Sequence, residues 1–118
     1  MQQKEKLKLF WRIINHLNKK FCKNKLVIKD IIFLTKDELN KLKEKGREPC
    51  GIYMIEEKVI AVDKELSLVG SITNLCHELT HAYQHQIEHN HRGGHNKVGG
   101  KVYLKFMKAT DKILKISV

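Results

Sequence analysis

The feature that most constrains the fold is a long apolar stripe in the second half of the chain. From Gly70 onward, apolar residues recur every three or four positions, at Ile72, Leu75, Cys76, Leu79, Tyr83 and Ile87. This spacing matches the 3.6-residue repeat of an α-helix with one buried face, and it predicts a helix over about residues 70–89. A chain of 118 residues is long enough for one domain with one modest core.

The same predicted helix carries the sequence His77-Glu78-Leu79-Thr80-His81. Residues four apart on a helix lie about 40° apart around its axis and ~6 Å apart along it. Both imidazoles can therefore reach one zinc ion at about 2.0–2.1 Å. Glu78 follows the first histidine, so it stands beside the metal without binding it and can take a proton from the attacking water. The spacing predicts His77 and His81 as zinc ligands and Glu78 as the catalytic base.

A catalytic zinc ion takes three protein ligands and keeps one position open, so a third ligand is expected outside the helix. His95 lies 14 residues after His81, beyond a glycine-containing turn that lets the chain fold back. The alternatives are His89 or His91 near the end of the helix, or an acidic ligand, for which Asp111 is the candidate. The glycine turn favours His95.

Periodicity, β-branched residues and turn residues predict the other elements. Thr35 and Glu38 have the spacing of a capping box at a helix start. In chain order the predicted elements are a helix over about 3–22, a strand over 26–34, a helix over 36–45, a hairpin of strands at 51–55 and 58–63, the helix over 70–89 and a helix over 99–116. This order predicts an α+β fold.

The net charge of +10 is unevenly distributed along the chain. A stripe of lysines runs beside the apolar face of the last predicted helix, at Lys101, Lys105, Lys108, Lys112 and Lys115. A basic surface attracts polyanions, so these lysines are candidate nucleic-acid contacts and DNA is a candidate partner. The alternative is an ordinary solvated helix face.

Cysteine usage and hydropathy give an expected compartment. Cys22, Cys50 and Cys76 are odd in number and form no CxxC pair, which predicts reduced core thiols and no zinc ribbon. No apolar run approaches the ~20 residues that span a bilayer, and the N-terminus lacks the pattern of a secretory signal. We expect one cytoplasmic domain over residues 1–118.

Several segments together resemble the SprT-like zinc metallopeptidases, the zincin family that includes the DNA–protein-crosslink protease Spartan. LFWRIINHLNKKF is similar to the opening helix of the family, and GIYMIEEKVIAVDKEL to its two strands before the active-site helix. LCHELTHAYQHQ resembles the HExxH helix closely and is the most specific part. GGHNKVGGKVYLKFM resembles the segment whose Gly-His pair supplies the third ligand. The resemblance covers nearly the whole chain.

This resemblance implies a zincin-like fold with an N-terminal helix, a small mostly antiparallel sheet, an HExxH active-site helix and a C-terminal helix. It implies that His77, His81 and His95 bind zinc, and that Glu78 is the acid/base of a metalloendopeptidase acting on DNA-associated proteins. The chain departs from the family at His95-Asn96, where the family has His-Gly, and it lacks the frequent C-terminal zinc ribbon.

Other interpretations stay open at the level of sequence. The ImmA/IrrE metallopeptidases, which cleave repressors, are the second resemblance, and they would use Asp111 as an acidic third ligand. A basic nucleic-acid-binding domain with structural zinc is a different class of function, as is a zincin that has lost its activity. For the hydrolase, Tyr103 or Tyr53 is the candidate that stabilises the oxyanion, and the strand at 51–55 or 59–63 the candidate that pairs with substrate.

Overall fold

The computed structural model describes residues 2–42, 50–89 and 97–117, with the side chains of 2–42, 50–89 and 100–114. Within these ranges the chain forms an α+β domain of four helices and a small mixed sheet of three strands. In chain order the elements are α1 (Gln3–Phe21), β1 (Asp30–Leu34), α2 (Lys36–Leu42), β2 (Gly51–Met54), β3 (Val59–Asp63), α3 (Leu68–Gln86) and α4 (Lys97–Ser117). The predicted α+β class and the order of the elements are confirmed.

Helix α3 is the predicted HExxH helix. Its first turn is capped by Ser67, whose Oγ accepts a hydrogen bond from the Gly70 amide at 3.1 Å. The predicted apolar stripe is buried at Ile72, Leu75, Cys76 and Leu79, and it is joined by Ala82. The helix ends at Gln86, three residues before the predicted end. Burial of this stripe fixes which side of the helix is left for the histidines.

Helices α1 and α4 complete the helical layer. The face of α1 that points into the core buries Phe10, Ile13, Ile14 and Leu17. The Phe106 ring of α4 lies 5.8 Å from the Phe21 ring of α1 and 5.9 Å from the Tyr83 ring of α3. These aromatic contacts join all three helices. No helix in the described ranges combines the length and apolarity needed to cross a bilayer.

The sheet has the strand order β1-β3-β2, with β3 in the centre. β2 and β3 pair antiparallel, which confirms the predicted hairpin. β1 and β3 pair parallel, from Asp30 opposite Val59 to Leu34 opposite Asp63. The prediction of a mostly antiparallel sheet is therefore wrong, and the sheet is mixed. The chain from β1 to β3 includes α2 and all of β2, which is long enough for the crossover that parallel strands require.

β1 begins four residues later than predicted, because side chains occupy the backbone groups before it. Asn18 of α1 accepts a hydrogen bond from the Leu26 amide and donates one to the Leu26 carbonyl, at 3.0 and 2.8 Å. Gln86 does the same for Val27, at 2.7 and 2.8 Å. With both polar groups of these residues already paired, the segment has no need of a neighbouring strand.

Helix α2 starts with the predicted capping box. Thr35 Oγ1 accepts a hydrogen bond from the Glu38 amide, and the Thr35 amide donates one to Glu38 Oε1, both at 3.1 Å. These bonds also lower the pKa of the Glu38 carboxyl. The predicted end of the helix, at residue 45, lies outside the described residues.

The edge strand β2 packs tightly against α3 at Gly51. A Cβ atom at this position would overlap Asn74 Oδ1 of α3 and would lie 2.9 Å from the Ala61 carbonyl oxygen of β3. Glycine therefore allows the close approach of strand and helix. Asn74 lies three residues before His77, so the contact brings β2 beside the first turn of the HExxH sequence.

Candidate metal centre

The two histidines of the HExxH sequence lie on adjacent turns of α3 and face each other. The Nε2 atoms of His77 and His81 are 3.2 Å apart. Their ring centroids are 4.7 Å apart, and the rings meet edge to face at an interplanar angle of 87°. Both side chains are half-buried, so the surrounding residues hold them while the rings keep some access to solvent.

This pair has the spacing that a tetrahedral zinc site requires. Two nitrogen ligands at about 2.0–2.1 Å from zinc, separated by a tetrahedral angle, are about 3.3 Å apart. The 3.2 Å between the two Nε2 atoms agrees with this value. The same distance also allows one ring to donate a hydrogen bond to the other, depending on the tautomer. The two nitrogens can therefore bind one zinc ion without any movement of the helix backbone.

Glu78 lies beside this pair and is buried, with an exposed fraction of 5%. On the helix it is about 100° from His77 and about 60° from His81, so its side chain flanks the pair. Carboxylates are seldom buried to this extent unless they are paired or have a function. Thr80 is also buried, and its hydroxyl donates to the Cys76 carbonyl at 2.8 Å.

The described residues do not supply a third ligand. Within residues 2–42, 50–89 and 97–117, no three His, Cys, Asp or Glu side chains are close enough to hold a metal ion together. His95, the predicted third ligand, and the alternative His91 lie outside the described residues. Asp111 is described, is exposed on α4 and does not join the histidine pair. His95 thus stays a prediction, and Asp111 is disfavoured by this arrangement.

The sequence predicts that the histidines which bind no metal are solvated. His89 is exposed, just beyond the end of α3, with a φ of 54°. His85 is half-buried instead, and its ring centroid lies 6.5 Å from that of Tyr53 on β2. It therefore packs between the helix and the edge strand.

Cys76 precedes His77 in sequence but contacts α4. Its thiol lies 3.5 Å from the Thr110 hydroxyl, and burial raises its pKa to about 11. Because metals bind the thiolate, the raised pKa makes this buried thiol a weaker ligand than an ordinary cysteine. Burial likewise raises the pKa of Cys22 to about 11. All three thiols are free, but Cys50 is exposed, so the prediction of a core position is wrong for Cys50.

The two candidate tyrosines are placed differently around α3. Tyr103 of α4 contacts the His77 ring, with ring centroids 6.4 Å apart and an interplanar angle of 74°. Tyr53 of β2 lies nearer the end of the helix, where its hydroxyl accepts a hydrogen bond from Gln86 Nε2 at 2.8 Å. Burial raises the pKa of both phenols above the usual value. Both are therefore hydrogen-bond donors at neutral pH.

Gln84 is a polar residue of α3 that the HExxH pattern does not include. Its exposed fraction is 1%, and neither Oε1 nor Nε2 has a hydrogen-bond partner within the part of the chain that the structure describes. Leaving such a group unpaired in the interior costs about 1–3 kcal/mol. Gln84 follows His77 by seven residues, two turns along one face of the helix. The seven-residue spacing could have shown from the sequence that Gln84 lies on the same helix face as His77.

The predicted basic stripe is partly visible on α4. Lys101, Lys105, Lys108 and Lys112 are exposed and lie within an arc of ~60° on the helix. The side chain of Lys115 lies outside the described residues. Leu104 and Asp111 are exposed on the same helix.

Comparisons of the chain with models of known protein families, with curated proteins and with solved structures found no match. The resemblance to the SprT-like family therefore depends on the quoted motifs alone, and the function has to be inferred from the geometry of the site.

Proposed function

We propose that the protein is a zinc-dependent metalloendopeptidase with one catalytic zinc ion, bound by His77, His81 and His95. The observation that carries this proposal is the 3.2 Å between the Nε2 atoms of the two helical histidines, beside the buried carboxyl group of Glu78. A site that only stores or carries zinc would have no need of a buried carboxyl group at this position. The resemblance to the SprT-like family supports the same reaction, with a protein or peptide as substrate.

Each residue of the site then has a definite role. When bound, zinc would polarise the attacking water and the carbonyl group of the scissile peptide bond. Glu78 accepts a proton from the water as the water oxygen adds to the carbonyl carbon. The carboxyl group of Glu78 then gives this proton to the leaving amine while the C–N bond breaks. Glu78 is ionised again at the end of the cycle.

The sheet offers a place for an extended substrate. Of the two strands that the sequence suggests for pairing with substrate, β3 has a partner on each side and has no edge to offer. β2 is an edge strand, and Gly51 and Tyr53 bring it against α3. A peptide added to β2 would run beside the histidine side of the helix, so β2 is the strand that we assign to substrate pairing.

Zinc content and peptide hydrolysis of the intact chain test the proposal together. We expect one zinc ion per chain by elemental analysis, and cleavage of an unstructured protein such as casein, detected as new termini by mass spectrometry. Removal of zinc with a chelator should stop cleavage, and one equivalent of zinc should restore it. A chain that binds no zinc, or a zinc-loaded chain that leaves casein and mixed peptides intact, would contradict the proposal.

DNA binding is a second candidate function, favoured by the four exposed lysines of α4. They face solvent along one side of the helix, and α1, which packs near α4 through Phe21 and Phe106, carries further exposed lysines. Such a surface can neutralise several phosphates of one duplex. It can act alone, in a domain whose zinc is structural, or it can bring DNA-associated proteins to the peptidase.

Charge-reversal variants distinguish DNA binding by the lysines of α4 from attraction by the net positive charge of the whole protein. Lys105→Glu with Lys108→Glu is expected to weaken binding of a labelled DNA duplex at least about tenfold, and to lower the slope of log K against log salt by about 2. Lys36→Glu with Lys41→Glu on α2 changes the net charge equally and is the control. Fluorescence anisotropy at several salt concentrations measures both. Equal losses in the two variants would show that α4 has no special role.

A further inference from the structure

We propose that Tyr103 is a catalytic residue whose hydroxyl donates a hydrogen bond to the oxygen of the attacked carbonyl group. This inference rests on the proposed peptidase function and adds to it the group that stabilises the oxyanion. From the sequence, Tyr103 and Tyr53 are equal candidates for this role, and their positions in the fold separate them.

Tyr103 contacts the first zinc ligand across the interface between α3 and α4. The centroids of the Tyr103 and His77 rings are 6.4 Å apart, and the rings meet at 74°. A zinc ion would lie about 2.0–2.1 Å from His77 Nε2, so the ring that Tyr103 contacts is one that would hold the metal. Tyr103 is half-buried, and within the described part of the chain no hydrogen bond engages its hydroxyl.

The other two tyrosines of the chain are engaged elsewhere. Tyr53 has an exposed fraction of 8%, its hydroxyl is bonded to Gln86, and its ring faces His85. The Tyr83 ring packs edge-on against Phe106 in the core between the helices. Neither arrangement presents a hydroxyl to the histidine pair, whereas the contact between Tyr103 and His77 does bring a phenol to it.

The role of the hydroxyl follows from where charge develops. As the water oxygen adds to the carbonyl carbon, the π electrons of the C=O bond move onto the carbonyl oxygen, and the water proton goes to Glu78. Tyr103 keeps its own proton and donates it in a hydrogen bond to that oxygen. When the C–N bond breaks, the electrons return to re-form the C=O bond. A donor placed where negative charge appears lowers the barrier more than it strengthens substrate binding.

Matched removal of one hydroxyl tests the proposal. Tyr103→Phe is expected to lower kcat about a hundredfold at unchanged KM, because the lost bond exists only in the transition state. Tyr83→Phe also removes a single phenolic oxygen, from a ring that packs against Phe106 between the helices. It should leave kcat and KM close to those of the wild type. Zinc content and melting temperature of Tyr103→Phe should both match the wild type.

A binding measurement gives a second readout that needs no turnover. An N-phosphoryl dipeptide carries tetrahedral phosphoryl oxygens that resemble the attacked carbonyl group. Calorimetric titration of the zinc-loaded protein with this compound should show a loss of affinity in Tyr103→Phe by the same factor as the loss in kcat/KM. Tyr83→Phe should bind it as the wild type does.

The outcomes distinguish this inference from the function on which it rests. Wild-type protein that neither cleaves peptides nor binds the phosphoryl compound would overturn the peptidase proposal and the role of Tyr103 with it. An active wild type with an equally active and equally tight-binding Tyr103→Phe variant would overturn the role of Tyr103 alone. Loss of zinc from Tyr103→Phe would assign the residue to the structure of the site and would also overturn the inference.

Discussion

Replacing Glu78 with Gln is expected to lower peptide hydrolysis at least about a thousandfold while one zinc ion stays bound. Gln has nearly the same shape as Glu and can still hold a water molecule, but it cannot accept a proton from it. Two of the proposed zinc ligands are histidines on neighbouring turns of α3, so this substitution should leave their 3.2 Å geometry unchanged. The loss should therefore appear in kcat and not in zinc content.

Stability provides a second measure of the same variant. The carboxyl group of Glu78 is buried with an exposed fraction of 5%, so a substitution there has to preserve its size and shape. We expect Glu78→Gln to unfold at a temperature close to that of the wild type, because Gln fills the same volume. An inactive protein of wild-type stability would show that the loss of activity comes from the chemistry of the carboxyl group and not from unfolding.

The control for this variant is Glu88→Gln, which makes the same change of charge at an exposed position beyond the end of α3. It should keep full activity and full zinc content. Hydrolysis of the same substrate by wild type, Glu78→Gln and Glu88→Gln can be followed by mass spectrometry under identical conditions. A Glu78→Gln protein that still hydrolyses peptides at a rate near that of the wild type would remove the proposed mechanism.

Elements whose residues interact locally were predicted well from the sequence. The apolar period of α3, the capping box of Thr35 and Glu38, and the hairpin of β2 and β3 all depend on residues close together in the chain, and all three are confirmed. The same holds for the histidine pair, because a helix alone brings residues four apart to one side. The two Nε2 atoms lie 3.2 Å apart, and zinc binding by the pair stays a prediction.

The wrong predictions concern features that are determined by contacts between distant parts of the chain. The strand was predicted to begin at residue 26, but it begins at Asp30. The reason is that Gln86 pairs with the backbone of Val27, which lies 59 positions earlier in the chain. The parallel pairing of β1 with β3 likewise joins strands that are far apart in the sequence, and the composition of the strands does not reveal it. Local patterns cannot report such contacts, since the partner lies far away in the sequence.

The candidate site likewise combines residues that local sequence predicts with residues that only the tertiary structure identifies. The proposed roles of His77, Glu78 and His81 depend on one helix, and the sequence sufficed to predict that α3 carries all three. The choice between Tyr103 and Tyr53 required the packing of α4 and β2 on that helix, and so did the burial of Gln84. Residues that act on a site from other elements become visible only once the tertiary contacts are known.

Replacing His95 with Ala is expected to weaken zinc binding more than about a hundredfold. A catalytic zinc site needs three protein ligands, and even loss of an outer-shell partner of a ligand lowers metal affinity about 10- to 100-fold. His95 itself lies outside the described residues, but two facts about its neighbourhood are known. It precedes the start of α4 at Lys97 by two positions, and α4 reaches the His77 ring at Tyr103.

The acidic alternative has a less favourable position. Asp111 follows Tyr103 by eight residues on α4, a rise of ~12 Å along the helix away from the contact with His77. Its neighbour Thr110 is bonded to Cys76 on α3, and Asp111 is exposed and outside any three-ligand group of described residues. Asp111→Ala should therefore bind zinc as tightly as the wild type.

Competition with a chromophoric chelator at fixed pH measures these affinities in parallel for wild type, His95→Ala, Asp111→Ala, His91→Ala and His89→Ala. The last two remove an imidazole close to His95 in sequence and control for a general loss of histidine. A sharp loss confined to His95→Ala would identify the third ligand and the SprT-like arrangement. A sharp loss confined to Asp111→Ala would instead favour the ImmA/IrrE arrangement, and α4 would then have to move relative to α3 for its carboxylate to reach the metal.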